Sequence, residues 1–184
     1  MRRIGVGWWG LLCVVLTEGA LFGYLLFSYL YYAVQLDPAW ILIRHPSLRL
    51  AVPNTIVLLL SSVCVWWGER GTREGRRGRQ LLGIGVGFLL GLAFIGIQLQ
   101  EWHDKPFSLR SSLYGSLFYT ITGFHMAHVV AGVIGLAMVF LWSVLGYFDR
   151  MRNAPVLIAA TYWHFVDAVW LAVFTTLYLT PYLG

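Results

Sequence analysis

The 184-residue chain is 59% apolar and 16% aromatic, with only 11% charged residues, a balance that excludes an ordinary water-soluble domain and points to a protein living in lipid. Its formal charge of +5 would suggest a nucleic-acid partner in a soluble chain. Here the basic residues sort by side of a set of apolar runs, so membrane orientation accounts for them and nucleic acid is not an expected partner.

The first apolar run covers residues 6–35. It follows Met1, Arg2 and Arg3 as a secretion signal would, but it is about 30 residues long, contains Glu18 and ends without a small-residue cleavage site, so a retained first helix is expected. Cys13 in this run and Cys64 in the next show no CxxC spacing and read as small buried apolar residues. Gly19 and Gly23 stand four apart beside Glu18, the spacing that lets helix backbones approach closely. The connection from Asp37 to Leu50, with Pro38 and Pro46, is long enough for a helix lying on the membrane surface.

A second, shorter span is expected over 51–68, followed by a Gly and Arg-rich loop over 68–79 (GERGTREGRRGR). That loop anchors topology on the first reading. On the second it binds anionic head groups at about 1 kcal/mol per basic residue. The third span, 81–99, carries Gly83, Gly87 and Gly91 on one stripe. The fourth, 113–145, exceeds the ~20 residues of a helical crossing by more than half, so it must tilt, kink or project. In it His125, His128 and Gly132 share a flank, which predicts that the histidines face protein. The fifth span, 156–183, holds His164 and Asp167.

Orientation follows from counting arginine and lysine. Arg2, Arg3, Arg70, Arg73, Arg76, Arg77, Arg79, Arg150 and Arg152 fall on one side, against Arg44, Arg49, Lys105 and Arg110 on the other. The amino terminus and the 68–79 segment are therefore expected in the cytoplasm and the carboxyl end outside. Connections are short, so residues 1–184 read as a single transmembrane domain in which any chemistry must take place among the helices.

Ionisable groups in hydrocarbon cost roughly 2.5 to 3.5 kcal/mol each on insertion scales, which makes Glu18, His125, His128, His164 and Asp167 the residues that need a partner or a task. Three readings are open on chemistry alone. A metal or haem site would use His125 and His128 at i, i+3 with His164 from the next helix, although a di-iron bundle wants more carboxylates than this chain carries. A proton relay would link Glu18, His128 and Asp167, the two acids lying roughly 15 to 20 Å from the cytoplasmic helix ends. Nothing similar is expected to continue through the outer half. Mutual satisfaction, with carboxyl and imidazole groups bonding each other to fix packing and seat lipids, needs neither cofactor nor route.

YGSLFYTITGFHMAHVVAG and TYWHFVDAVWLAVF closely resemble the last two helices of subunit III of haem-copper oxidases. TEGALF in the first span, AVPNTIVLLLSSV opening the second and QLQEW closing the third agree, so the resemblance runs from about Trp8 to Tyr182. It implies an all-α polytopic bundle of five transmembrane helices, matching the last five of the seven in the longer form of the family. It implies no catalytic residue and no haem or metal held by this chain, with haem and copper in partner subunits and phospholipid as a bound lipid. The implied partners are catalytic subunit I, subunit II and a small subunit IV, in a bacterial cytoplasmic membrane. Glu18, Glu101, His125, His128, His164 and Asp167 become buried motif residues with structural, lipid or proton-uptake roles, and Glu18 is expected to bond His128. Glutamate at position 18 favours cytochrome c over quinol as electron donor. The alternatives are subunit III of a quinol oxidase and an autonomous membrane haem or metal protein.

Overall fold

A computed structural model describes residues 6–36, 48–148 and 152–183, with side chains to Pro181. The architecture is all-α. Helix α1 spans Val6–Gln35, α2 Leu48–Glu74, α3 Arg77–Asp104, α4 Leu113–Val144 and α5 Ala154–Phe174. The last runs on through a π-helical turn, Thr175–Leu179, into the short α6, Thr180–Leu183. There is no strand among the described residues. All five long helices are apolar and long enough to cross a membrane. Helices α1 to α4 have 27 to 32 residues, about 40 to 48 Å at ~1.5 Å per residue, so their ends project beyond a hydrocarbon core of about 30 Å.

The second and third spans are longer than their hydropathy suggests, and residues 68–79 are not a loop. Helix α2 continues to Glu74 and α3 starts at Arg77. The turn is two residues long because Gly75 takes φ +74°, a conformation that glycine adopts without steric cost. Its N–H donates to Thr72 O (3.1 Å) and that of Arg76 to Gly71 O (2.8 Å), the paired bonds that close a helix C-terminus. Helix α4 ends the same way at Gly146, φ +82°, and holds its extra length without a break.

Glycine sets how closely the helices approach. A Cβ on Gly83 would lie 2.5 Å from the Gly68 Cα, and one on Gly87 2.5 Å from Val65 Cγ2, so this stripe is the contact between α3 and α2. Gly91 and Gly132 form a slot for the Trp163 indole, whose atoms would meet added Cβ atoms at 2.8 and 2.7 Å. Trp163, Trp170, Phe94 and Phe118, all fully buried, fill the interior.

Helix α1 is a rim helix resting on α4 and α5. It makes contact through Leu11, Phe22 and Tyr29. Gly19 and Gly23 serve no close helix approach within this chain: a Cβ on Gly23 would meet nothing within 4 Å and one on Gly19 only Phe165, at 4.0 Å. Cys13 lies exposed on the outer face of this helix and Cys64 is half-buried, so neither is the enclosed residue expected. Arg2, Arg3, Arg44 and Arg150 lie outside the described residues, as does the expected surface helix between Asp37 and Leu50 except for the start of α2.

Candidate functional site: buried polar pairs

Glu18 and His128 meet across the α1–α4 contact, with Oε2 3.0 Å from Nε2. The other ring nitrogen, Nδ1, lies 2.6 Å from Phe124 O. A carbonyl only accepts, so Nδ1 is the donor to Phe124 O, which leaves Nε2 as the ring atom that faces the Glu18 carboxyl group. The Phe22 ring stands edge-on at 5.2 Å and shields the contact.

His125, one turn earlier on α4, faces differently. It is fully buried, its ring 4.9 Å from Trp170 and 6.0 Å from Phe94, and neither nitrogen has a hydrogen-bond partner. It packs as an aromatic. His164 on α5 has Nδ1 2.6 Å from Ser62 Oγ on α2, and Asp167, 7% exposed, sits one turn further along the same helix. His164 Nε2 and Asp167 Oδ1 are buried without a partner.

The three histidines therefore do not converge. Among the described residues no three His, Cys, Asp or Glu side chains lie close enough to hold a metal ion. Asp167 is likewise separate from the Glu18–His128 pair and belongs with Ser62 and His164, so the relay imagined from sequence is divided between two helix contacts.

Helix α2 supplies the remaining partners. Trp163 Nε1 donates to Ser61 Oγ (3.0 Å), which donates to Gly87 O (2.9 Å). Trp170 Nε1 donates to Thr55 Oγ1 (3.0 Å), which donates to Ala51 O (2.8 Å). Asn54/Thr55, Ser61/Ser62 and Gly68/Glu69 recur every seven residues along this helix, a signal that could have marked them as its inward face.

Of the largest polar cluster, the sequence pointed only to Glu101, through the family resemblance, and to none of its partners. Glu101 Oε1 accepts from Tyr178 OH (2.8 Å) and from Lys105 Nζ (2.9 Å), and Oε2 from Gln98 Nε2 (3.2 Å). Gln98 Oε1 in turn accepts from Asn54 Nδ2 (3.1 Å). The Lys105 and Glu101 side chains are only 7% and 4% exposed. Lys105 looked like a loop residue because hydropathy ends the third span at 99, whereas α3 runs on to Asp104. The expectation that nothing similar continues through the outer half is thus overturned. Leu58 on α2, Phe94 on α3 and Trp170 on α5, all fully buried, lie along their helices between this cluster and the Ser62, His164 and Asp167 group.

A groove of about 530 Å³ lies between α1, α4 and α5, walled by Gly7, Gly10, Gly135, Trp142, Ile158 and Tyr162. Trp142 and Pro155 also line a second hollow of about 510 Å³, beside Tyr147 and Arg152.

The family model for cytochrome c oxidase subunit III matches residues 4–182. The chain belongs to that family. A cytochrome c oxidase subunit 3 from Danio rerio is 40% identical over 125 residues, covering 68% of this chain and 48% of the relative. One from Branchiostoma lanceolatum is 38% identical over 136 residues, covering 73% and 52%, and one from Drosophila yakuba 32% over 177 residues, covering 92% and 68%. The chain spans about half the length of the first two of these curated relatives. In this member of the subunit III family, a multi-pass membrane protein, the motifs first seen as strings are contacts between helices. TEGALF places Glu18 and Phe22 on the α1–α4 boundary, NT and SS receive the α5 tryptophans, and QLQEW carries Gln98 and Glu101 into the cluster with Lys105 and Tyr178.

Proposed function

We infer that the chain is the accessory third subunit of a bacterial haem-copper terminal oxidase, a cytochrome c oxidase that reduces oxygen and pumps protons. Haem and copper belong to partner subunits, with catalytic subunit I as the principal neighbour and subunit II and a small subunit IV as further ones. The chain acts as one transmembrane domain over residues 1–184, amino end inside, in the bacterial cytoplasmic membrane. It makes and breaks no bond itself. Its part is to keep the catalytic subunit in working form, to support proton uptake and to hold phospholipid, for which the apolar groove ending at Trp142 suits an acyl chain. Cytochrome c is preferred to quinol as donor because position 18 is glutamate and the relatives above are named as cytochrome c oxidase subunits.

One observation carries this reading: the Glu18–His128 pair is closed at 3.0 Å and backed by the Phe124 carbonyl. Groups bonded to each other in this way position helices rather than bind an exchanging substrate. Glu18→Ala in the intact complex tests it. Oxygen reduction is expected to start near the unmodified rate and to decay faster over successive turnovers, with the haem spectrum intact at the outset. Immediate loss of that spectrum, or an unchanged lifetime, contradicts the proposal.

A further inference from the structure

The hairpin end of α2 and α3 concentrates charge beyond what the fold uses. Five arginines, at positions 70, 73, 76, 77 and 79, stand within ten residues with only Glu69 and Glu74 for balance. Arg73 pairs with Glu69 (2.6 Å), and Arg79 and Arg76 share Glu74 (2.9 and 3.5 Å). Arg77 donates to Val144 O (2.7 Å) at the end of α4. Arg70 is held differently. Its guanidinium carbon lies 3.9 Å from the centre of the Trp66 ring, one helical turn earlier. Trp66 and Trp67 are both exposed, and tryptophans near the end of a membrane helix sit at headgroup depth.

Stacking occupies the flat face of the Arg70 guanidinium and leaves its N–H edge unused, the edge that matches the paired oxygens of a phosphodiester. Fixing topology requires charge alone. A guanidinium laid on an exposed indole at headgroup depth, with a net positive field from its neighbours, is in addition a geometry for contact.

We propose that Arg70, seated on Trp66 and flanked by the α2–α3 arginines, binds the headgroup phosphate of an anionic phospholipid. The site is on α2, away from the groove between α1, α4 and α5. The bound lipid ties the projecting hairpin tip to the membrane surface.

The test uses the full chain, with any chains that copurify, in phosphatidylcholine vesicles carrying photoactivatable phosphatidylglycerol or photoactivatable phosphatidylcholine. Crosslinks to the Trp66–Arg79 segment are counted by mass spectrometry. Phosphatidylglycerol is expected to label this segment several-fold more than phosphatidylcholine. Arg70→Gln lowers that labelling about fivefold, the value of one basic contact at a membrane surface. Trp66→Leu, which keeps every charge, lowers it about two- to fivefold. Arg110→Gln at the other end of the bundle leaves it unchanged. Equal labelling by the two lipids overturns the proposal, as an acidic protein partner would require. So does full labelling in Arg70→Lys or Trp66→Leu, since attraction to general surface charge needs neither the planar fork nor the indole.

Discussion

Lys105 and Glu101 are held almost wholly out of solvent, and charges in such a place persist only when their hydrogen-bonding capacity is met. Glu101 accepts from three donors, and the lysine follows it by four residues at the end of α3, where the helix dipole favours a cation. Removing one partner is therefore worse than never having the pair. Lys105→Met is expected to destabilise the protein by about 3 to 5 kcal/mol and Tyr178→Phe by about 1 to 3 kcal/mol, read by thermal unfolding in detergent; equal and negligible shifts contradict the buried network. The histidines were legible in the sequence because an ionisable residue inside an apolar run stands out. Lys105 was not, because it follows the run and precedes Pro106, where a loop is the natural expectation. The Glu18–His128 contact joins residues 110 positions apart, which no local spacing can reveal, and only resemblance to a family suggested it.

Helix contacts were partly readable from glycine. The spacing of Gly83, Gly87 and Gly91 marked a packing face, and that face meets α2 and the Trp163 indole. The same spacing at Gly19 and Gly23 marks no contact within the chain, since pattern alone cannot tell a face that meets another helix from one that meets lipid. Substitution separates the two cases. Gly83→Ala puts a methyl group 2.5 Å from the Gly68 backbone, which cannot yield as a side chain would, and is expected to cost about 1 to 3 kcal/mol. Gly23→Ala enters open space and is expected to be neutral or to stabilise by up to about 1 kcal/mol through helix propensity. Thermal unfolding of the two variants side by side distinguishes them, and equal losses would contradict the packing described. The charged hairpin misled for a different reason: arginine, glutamate and glycine look like a loop, but Glu69–Arg73 is a helical i, i+4 pair and Gly75 confines the turn to two residues.

For the whole molecule, five spans and the all-α class were plain from composition, because apolar runs of this length have few alternatives. Orientation rests on the arginine count. With Cys13 and Cys64 replaced, Gly78→Cys at the exposed hairpin end should react with a membrane-impermeant maleimide in inverted vesicles and not in intact cells; the reverse pattern contradicts an amino end inside. Two polar contacts tie distant parts of the bundle together, Glu18 with His128 and Glu101 with Lys105 and Tyr178, whereas both nitrogens of His125, His164 Nε2 and Asp167 Oδ1 have no hydrogen-bond partner. An experimental density map of the chain in its native assembly tests this most directly. Glu18 is expected within hydrogen-bond distance of His128, with Glu101 joined to both Lys105 and Tyr178. A haem or metal ion seated between the imidazoles of this chain, or Glu18 turned away from His128 into lipid, would contradict it.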